Sequence, residues 1–129
     1  MDYSPYTEVI DLGELVSSHE AYLGTDWSYI ALVATFTSQR RSMFGYVFFE
    51  DGRWEAKLPR DPGRSVMKAF RRLHEHMAAV DGVAWQQCLL EISRTDYTVS
   101  VDFEYDDPDR WSVTPDKLQQ LLGEFVSER

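Results

Sequence analysis

The segment from Trp27 to Thr37 constrains this chain more than any other stretch, because it is apolar on both faces. Ile30, Leu32 and Phe36 fall on one side of an extended strand, and Trp27, Tyr29 and Val33 fall on the other. Such a strand belongs in the middle of a sheet, covered on both sides or nearly so.

The neighbouring segments supply the rest of that sheet and its cover. Ser4 to about Ser18 reads as a helix: Ser4 is the expected cap, Pro5 suits the first turn, and Tyr6, Val9, Ile10, Leu12 and Val16 supply the apolar stripe, with Gly13 a weak point within it. Met43 to Glu50 is a second strand closed by Asp51-Gly52, a tight-turn signal, and Arg53 to Lys57 is a short third. After the loop Pro59 to Gly63, Ser65 to Val80 follows a helical period through Val66, Phe70, Leu73, Met77 and Val80, ending at Asp81-Gly82. Strands are expected over Ala84 to Ser93 and Tyr97 to Asp106. A last helix is capped by Thr114 and opened by Pro115, with Leu118, Leu121, Leu122 and Phe125 on one face. The expectation is one α+β domain over residues 1–129: an antiparallel sheet of about four to five strands packed by helices, in the order α-ββ(β)-α-ββ-α.

A repeat lies within this order. Trp27 opens a hairpin that closes at Glu50 to Trp54, Trp85 opens one that closes at Asp106 to Trp111, and each continues into a helix, so the chain reads as α followed by two ββα units, an internal duplication. The second hairpin is the more distinctive. Val99, Val101, Phe103 and Tyr105 alternate with Ser100, Asp102, Glu104 and Asp106, the period of a half-buried strand. Pro108 cannot donate to a ladder, so the strand stops near Asp106 or Asp107 and leaves Asp106, Asp107 and Asp109 exposed beside Trp111. Asp102, Glu104, Asp106, Asp107, Asp109 and Trp111, with Glu50, Asp51 and Trp54 of the first hairpin, are the candidate partner-binding residues. Core packing of the two indoles is the competing expectation.

Composition narrows the function classes. The chain carries 22 acids against 13 bases, a net charge of −9, which disfavours general nucleic-acid binding and favours capture of a basic protein. Solubility accounts for the same charge. Cys88 is the single cysteine and sits in an apolar strand pattern, as a structural thiol does. No stretch approaches the roughly 18 apolar residues of a membrane helix, and Met-Asp-Tyr-Ser-Pro is not a signal peptide, so a cytoplasmic location is expected.

Catalytic signatures are weak. Asp102, Glu104 and Asp106 match the first three ligand positions of a calcium loop, but Asp107 stands where glycine is needed and Val113 where the bidentate glutamate is needed. His74 and His76 diverge on their helix, and His19 is isolated. Arg60, Arg64, Lys68, Arg71 and Arg72 place positive charge on one helix and its approach, read as a solvated face or a second contact patch. No cofactor, metal or catalytic group is expected.

Phe70 to Met77, Trp85 to Ile92 and Val101 to Trp111, with its Val-x-Phe-x-Tyr-Asp-Asp run, together resemble bacterial toxin-immunity proteins of the YezG-like type. The Trp27 to Glu50 hairpin matches them more loosely. The linker Pro59 to Gly63 and Glu104 depart from that pattern. The resemblance implies a cytoplasmic antidote, not an enzyme, that neutralises a cognate toxin in interbacterial competition, such as a basic nuclease domain delivered by contact-dependent inhibition. Two other functions fit less of the sequence: a metal-dependent phosphotransfer enzyme using Asp102, Glu104 and Asp106, and a secretion chaperone or adaptor.

Overall fold

A computed structural model describes residues 5–111. Helix α1 (Pro5–Ser17) is followed by β1 (Trp27–Phe36), β2 (Arg41–Phe49), β3 (Trp54–Ala56), α2 (Ser65–Asp81), β4 (Gln87–Ser93) and β5 (Thr98–Glu104). The strands form one antiparallel sheet in the order β3-β2-β1-β4-β5, so the chain is an α+β fold. The Ser4 cap and the helix expected over Thr114 to Phe125 lie outside the described residues.

β1 is the middle strand, and all ten of its residues are buried. On one face Trp27, Ile30, Leu32, Ala34 and Phe36 meet both helices through Val9, Leu12, Val16, Val66, Phe70, Leu73 and Met77. On the other face Tyr29, Ala31 and Val33 join Tyr46, Phe48, Leu89 and Trp111 in a second cluster. Trp27 therefore lies on the face opposite to the one alternation predicts. The register between β1 and β2 slips between Trp27 and Tyr29, and this bulge inverts the alternation for the residue before it. Ser28 Oγ donates to the Phe48 carbonyl at 3.1 Å, the Arg94 amide donates to the Ser28 carbonyl at 2.9 Å, and the Arg94 guanidinium stacks over the Trp27 ring.

The helices also correct two expectations. In α1 the buried stripe is Val9, Leu12, Gly13 and Val16, while Tyr6 and Ile10 are exposed. Gly13 serves close packing: a Cβ there would stand 2.7 Å from Val99 Cγ2 on β5. In α2 the stripe ends at Met77. Val80 is exposed because it falls in the last turn, before Gly82 terminates the helix in the left-handed conformation.

The two hairpins sit side by side through the β1–β4 pairing. The sequence offset that carries Trp27 onto Trp85 also carries Leu32 onto Leu90, and Leu32 and Leu90 are direct partners across β1 and β4. The repeat is thus built as an approximate two-fold through the centre of the sheet.

Gly45 on β2 lies opposite Leu32, where a Cβ would come within 2.3 Å of Leu32 Cδ2 and 2.9 Å of the Ala31 carbonyl oxygen. Alanine at a strand glycine ordinarily gains about 0.5–1 kcal/mol. Here Gly45→Ala is expected to lose about 1–3 kcal/mol through overpacking. Urea unfolding checks this: the midpoint falls with the slope unchanged, and an unchanged or raised midpoint contradicts the packing.

Candidate acidic site on the β5 edge

β5 is an edge strand of the sheet among the described residues, and its two faces differ as alternation predicts. Val99, Val101 and Phe103 turn inward and pack against the helix-side core. Ser100 and Asp102 pair with Glu91 and Leu89 of β4 and share the opposite face with them. Glu91 was not singled out by the sequence reading. Its signal is a lone acid in the apolar run Cys88 to Ile92, and the structure buries it at 5% exposure with the Tyr29 hydroxyl donating to it. Glu91, Asp96 and Asp102, with Ser93, Thr98 and Ser100, border a polar cavity of about 280 Å³.

Beyond β5 the carboxylates shape their own loop. Glu104 Oε2 accepts the amides of Asp106 at 3.0 Å and Asp107 at 3.2 Å, and its Oε1 accepts the Arg110 guanidinium at 3.1 Å. Those two amides, and then Arg110, hold the Glu104 carboxyl below the usual range. Asp107 Oδ1 accepts the Asp109 amide at 2.9 Å, and Asp109 Oδ1 accepts Arg40 at 2.7 Å from the β1–β2 turn. The side chains of Asp102 and Asp106 are exposed and form no hydrogen bond or ion pair among the described residues. Trp111 is no exposed anchor at this tip. It is buried at 4% exposure, its amide donating to Gln87 Oε1 at 2.8 Å, and Arg110 lies over its ring. Its indole closes the second cluster, which outweighs display of so large an apolar area.

The first hairpin end is elsewhere. Phe49 pairs with Trp27 at the start of β1, whereas Glu104 pairs with Gln87, which pairs with Thr35 near the end of β1. Glu50, Asp51 and Trp54 thus occupy the opposite end and the opposite edge of the sheet from Asp106, Asp107 and Asp109. Asp51 is occupied by its own turn, accepting the Arg53 amide at 3.0 Å and the Arg53 Nε at 2.6 Å. Trp54 is 42% exposed and packs edge-on against Tyr46.

Aromatic surface does occur beside β5, from residues the partner-site reading passed over. Tyr97, held at φ 53 in the turn before the strand, is 68% exposed, and Tyr6 of α1 is 71% exposed. Both line a groove of about 530 Å³ with Ile10 and Val99 between α1 and β5. No sequence signal marked this groove, since Tyr6 and Ile10 fit the apolar stripe of α1 and only the packed helix leaves them exposed.

Cys88 is fully buried, and desolvation pushes its thiol well above the ordinary value. Among the described residues no three His, Cys, Asp or Glu side chains are grouped to hold a metal ion, and no helix is long and apolar enough to cross a membrane. No family model matches the chain, and no curated protein is significantly similar to it.

The loop after β5 depends on ionised Glu104. A group whose folded pKa is depressed gives stability that is present above its unfolded value and lost as pH falls through the folded value. NMR titration of the Asp106 and Asp107 amides is expected to show a transition with a midpoint below the ordinary glutamate value. A midpoint at or above it contradicts the role assigned to Glu104.

Proposed function

We propose that this protein is a toxin-immunity protein that binds one basic toxin domain along the β5 edge, as the resemblance to YezG-like proteins implies. The observation that carries the reading is the edge strand itself, with exposed Asp102 and Asp106 forming no side-chain hydrogen bond or ion pair among the described residues, and with the exposed rings of Tyr97 and Tyr6 on the helix side of its first residues. Carboxylates on such a surface steer a basic partner and fix its orientation. Aromatic side chains supply the apolar anchors on which binding energy concentrates. The β5 edge, unpaired among the described residues, adds main-chain donors and acceptors between the carboxylates and the rings. A nuclease domain, whose cleft must attract phosphate, is the kind of toxin such a surface fits, and covering that cleft would neutralise it. The antidote does no chemistry in this reading, and it works in the cytoplasm of the cell it protects.

In this reading Asp102 and Asp106 face the partner, Glu104, Asp107 and Asp109 hold the loop, and Glu50, Asp51 and Trp54 stand outside the interface.

Co-expression with the toxin encoded beside this chain is expected to protect cells, and failure with every neighbouring toxin would overturn the reading. With the purified pair, Asp102→Lys combined with Asp106→Lys should slow association by about tenfold or more and flatten its salt dependence. Trp54→Ala should leave association unchanged. The reverse pattern moves the interface to the β3 edge.

A further inference from the structure

A third concavity, of about 550 Å³, lies between the N-terminal half of α2, the end of β1 and the start of β2. Phe36, Met43, Leu58 and Met67 give it an apolar lining. Arg41, Arg60, Arg64 and Lys68 line it too, and all four are exposed. None of these four forms a salt bridge among the described residues. A fifth cation, Arg71, is already paired with Glu75 at 3.0 Å.

The lining includes one carboxylate, Asp61, and it is committed elsewhere. Its Oδ1 accepts the Ser65 amide at 3.0 Å, and its Oδ2 accepts the Ser65 hydroxyl and His19 Nε2, the latter at 3.2 Å. His19 Nδ1 accepts the Ala21 amide at 3.0 Å, which leaves Nε2 to carry the proton donated to Asp61. The Ser65 bonds and then His19 hold the Asp61 carboxyl down at about 2. Its charge therefore ties the end of α1 to the start of α2.

A chain with 22 acids against 13 bases has thus gathered in one cleft four cations that form no ion pair among the described residues. Like charges lining a concave surface repel one another and focus a positive field on whatever enters. Three of the four are arginines, whose planar forks match the oxygens of a phosphate. The volume falls within the roughly 300–1,000 Å³ of small-molecule sites. Among the described residues no amide or hydroxyl side chain lines the cleft to read the edge of a base, so the body of a fitting ligand is apolar. Arg64 itself is held at φ 53, a conformation uncommon for residues with a side chain and one that collects at ligand clamps.

We propose that this cleft binds a soluble phosphate monoester with an apolar body, the phosphate held by Arg41, Arg60, Arg64 and Lys68 and the body resting on Met43, Leu58 and Met67. The site draws on residues of β2, the loop before α2, and α2, and it does not rest on the toxin-binding reading of the β5 edge.

Calorimetric titration of the full chain with naphthyl phosphate at low ionic strength tests it. Inorganic phosphate and naphthol serve as single-part probes, an acidic glutamate peptide as the protein arm, and phosphatidylglycerol vesicles as the membrane arm. One site per chain is expected, binding naphthyl phosphate about tenfold tighter than either single-part probe, and weakening as salt is raised. Arg60→Gln combined with Arg64→Gln should weaken it about ten- to a hundredfold, the loss of charge-assisted hydrogen bonds. Lys68→Gln, on the exposed face of α2, is the second variant should the first pair disturb folding. The proposal is overturned by no binding at millimolar naphthyl phosphate, by affinity that survives loss of the cations, or by tighter binding to the peptide or the vesicles.

Discussion

The pairing of β1 with β4 is the constraint on which the rest of this molecule depends. β1 buries every residue it has, so it needs a strand on each side and a packed layer on each face. β4 meets it with Leu32 opposite Leu90, at the point where the two hairpins exchange places. Antiparallel strands related in this way point their hairpin ends in opposite directions. The Glu50 to Arg53 turn and the Asp106 to Asp109 loop therefore finish at opposite ends and opposite edges of one sheet. Two acidic tips that look alike in the sequence lie too far apart to form one surface, and the proposed function falls to the seven-residue β5 edge and not to the three-residue β3 edge.

Charge follows the same division. Most of the acids at the second tip are occupied in shaping it, through Glu104 with two loop amides and Arg110, and through Asp109 with Arg40. Carboxylates that satisfy their own loop set its shape and leave fewer to face a partner, so the proposed recognition rests on Asp102, Asp106 and the exposed rings at the start of β5. On the far side of the β1–β4 centre the balance inverts, with Arg41, Arg60, Arg64 and Lys68 around an apolar hollow. An acidic protein thus presents two surfaces of opposite sign, one along β5 and the other between β2 and α2.

Local pattern carried much of this into the sequence. Alternation from Val99 to Phe103 gave β5 its faces, the doubly apolar run gave β1 its central place, and Asp51-Gly52 and Asp81-Gly82 marked a real turn and a real helix end. What the sequence hid was non-local. Trp27 changed faces because of a bulge braced by Arg94, a residue of the other hairpin. Gly13 looked like a weak helix position, yet its missing Cβ is the space that Val99 occupies. Trp111 looked exposed because it follows a polar loop, and only the closed sheet reveals the cluster it completes. The basic residues of α2 were visible as a charged helix, but the cleft needed Arg41 from β2 and the apolar lining from β1 and β2 to become a site.

Amide hydrogen exchange of the protein bound to its toxin tests the central claim most directly, because it reads each strand edge separately. Protection gained on binding should concentrate in β5 and in the turn that holds Asp96 and Tyr97, with the Glu50 to Ala56 hairpin end exchanging as in the free protein. Protection confined to that hairpin end, or to the N-terminal half of α2, would contradict the account.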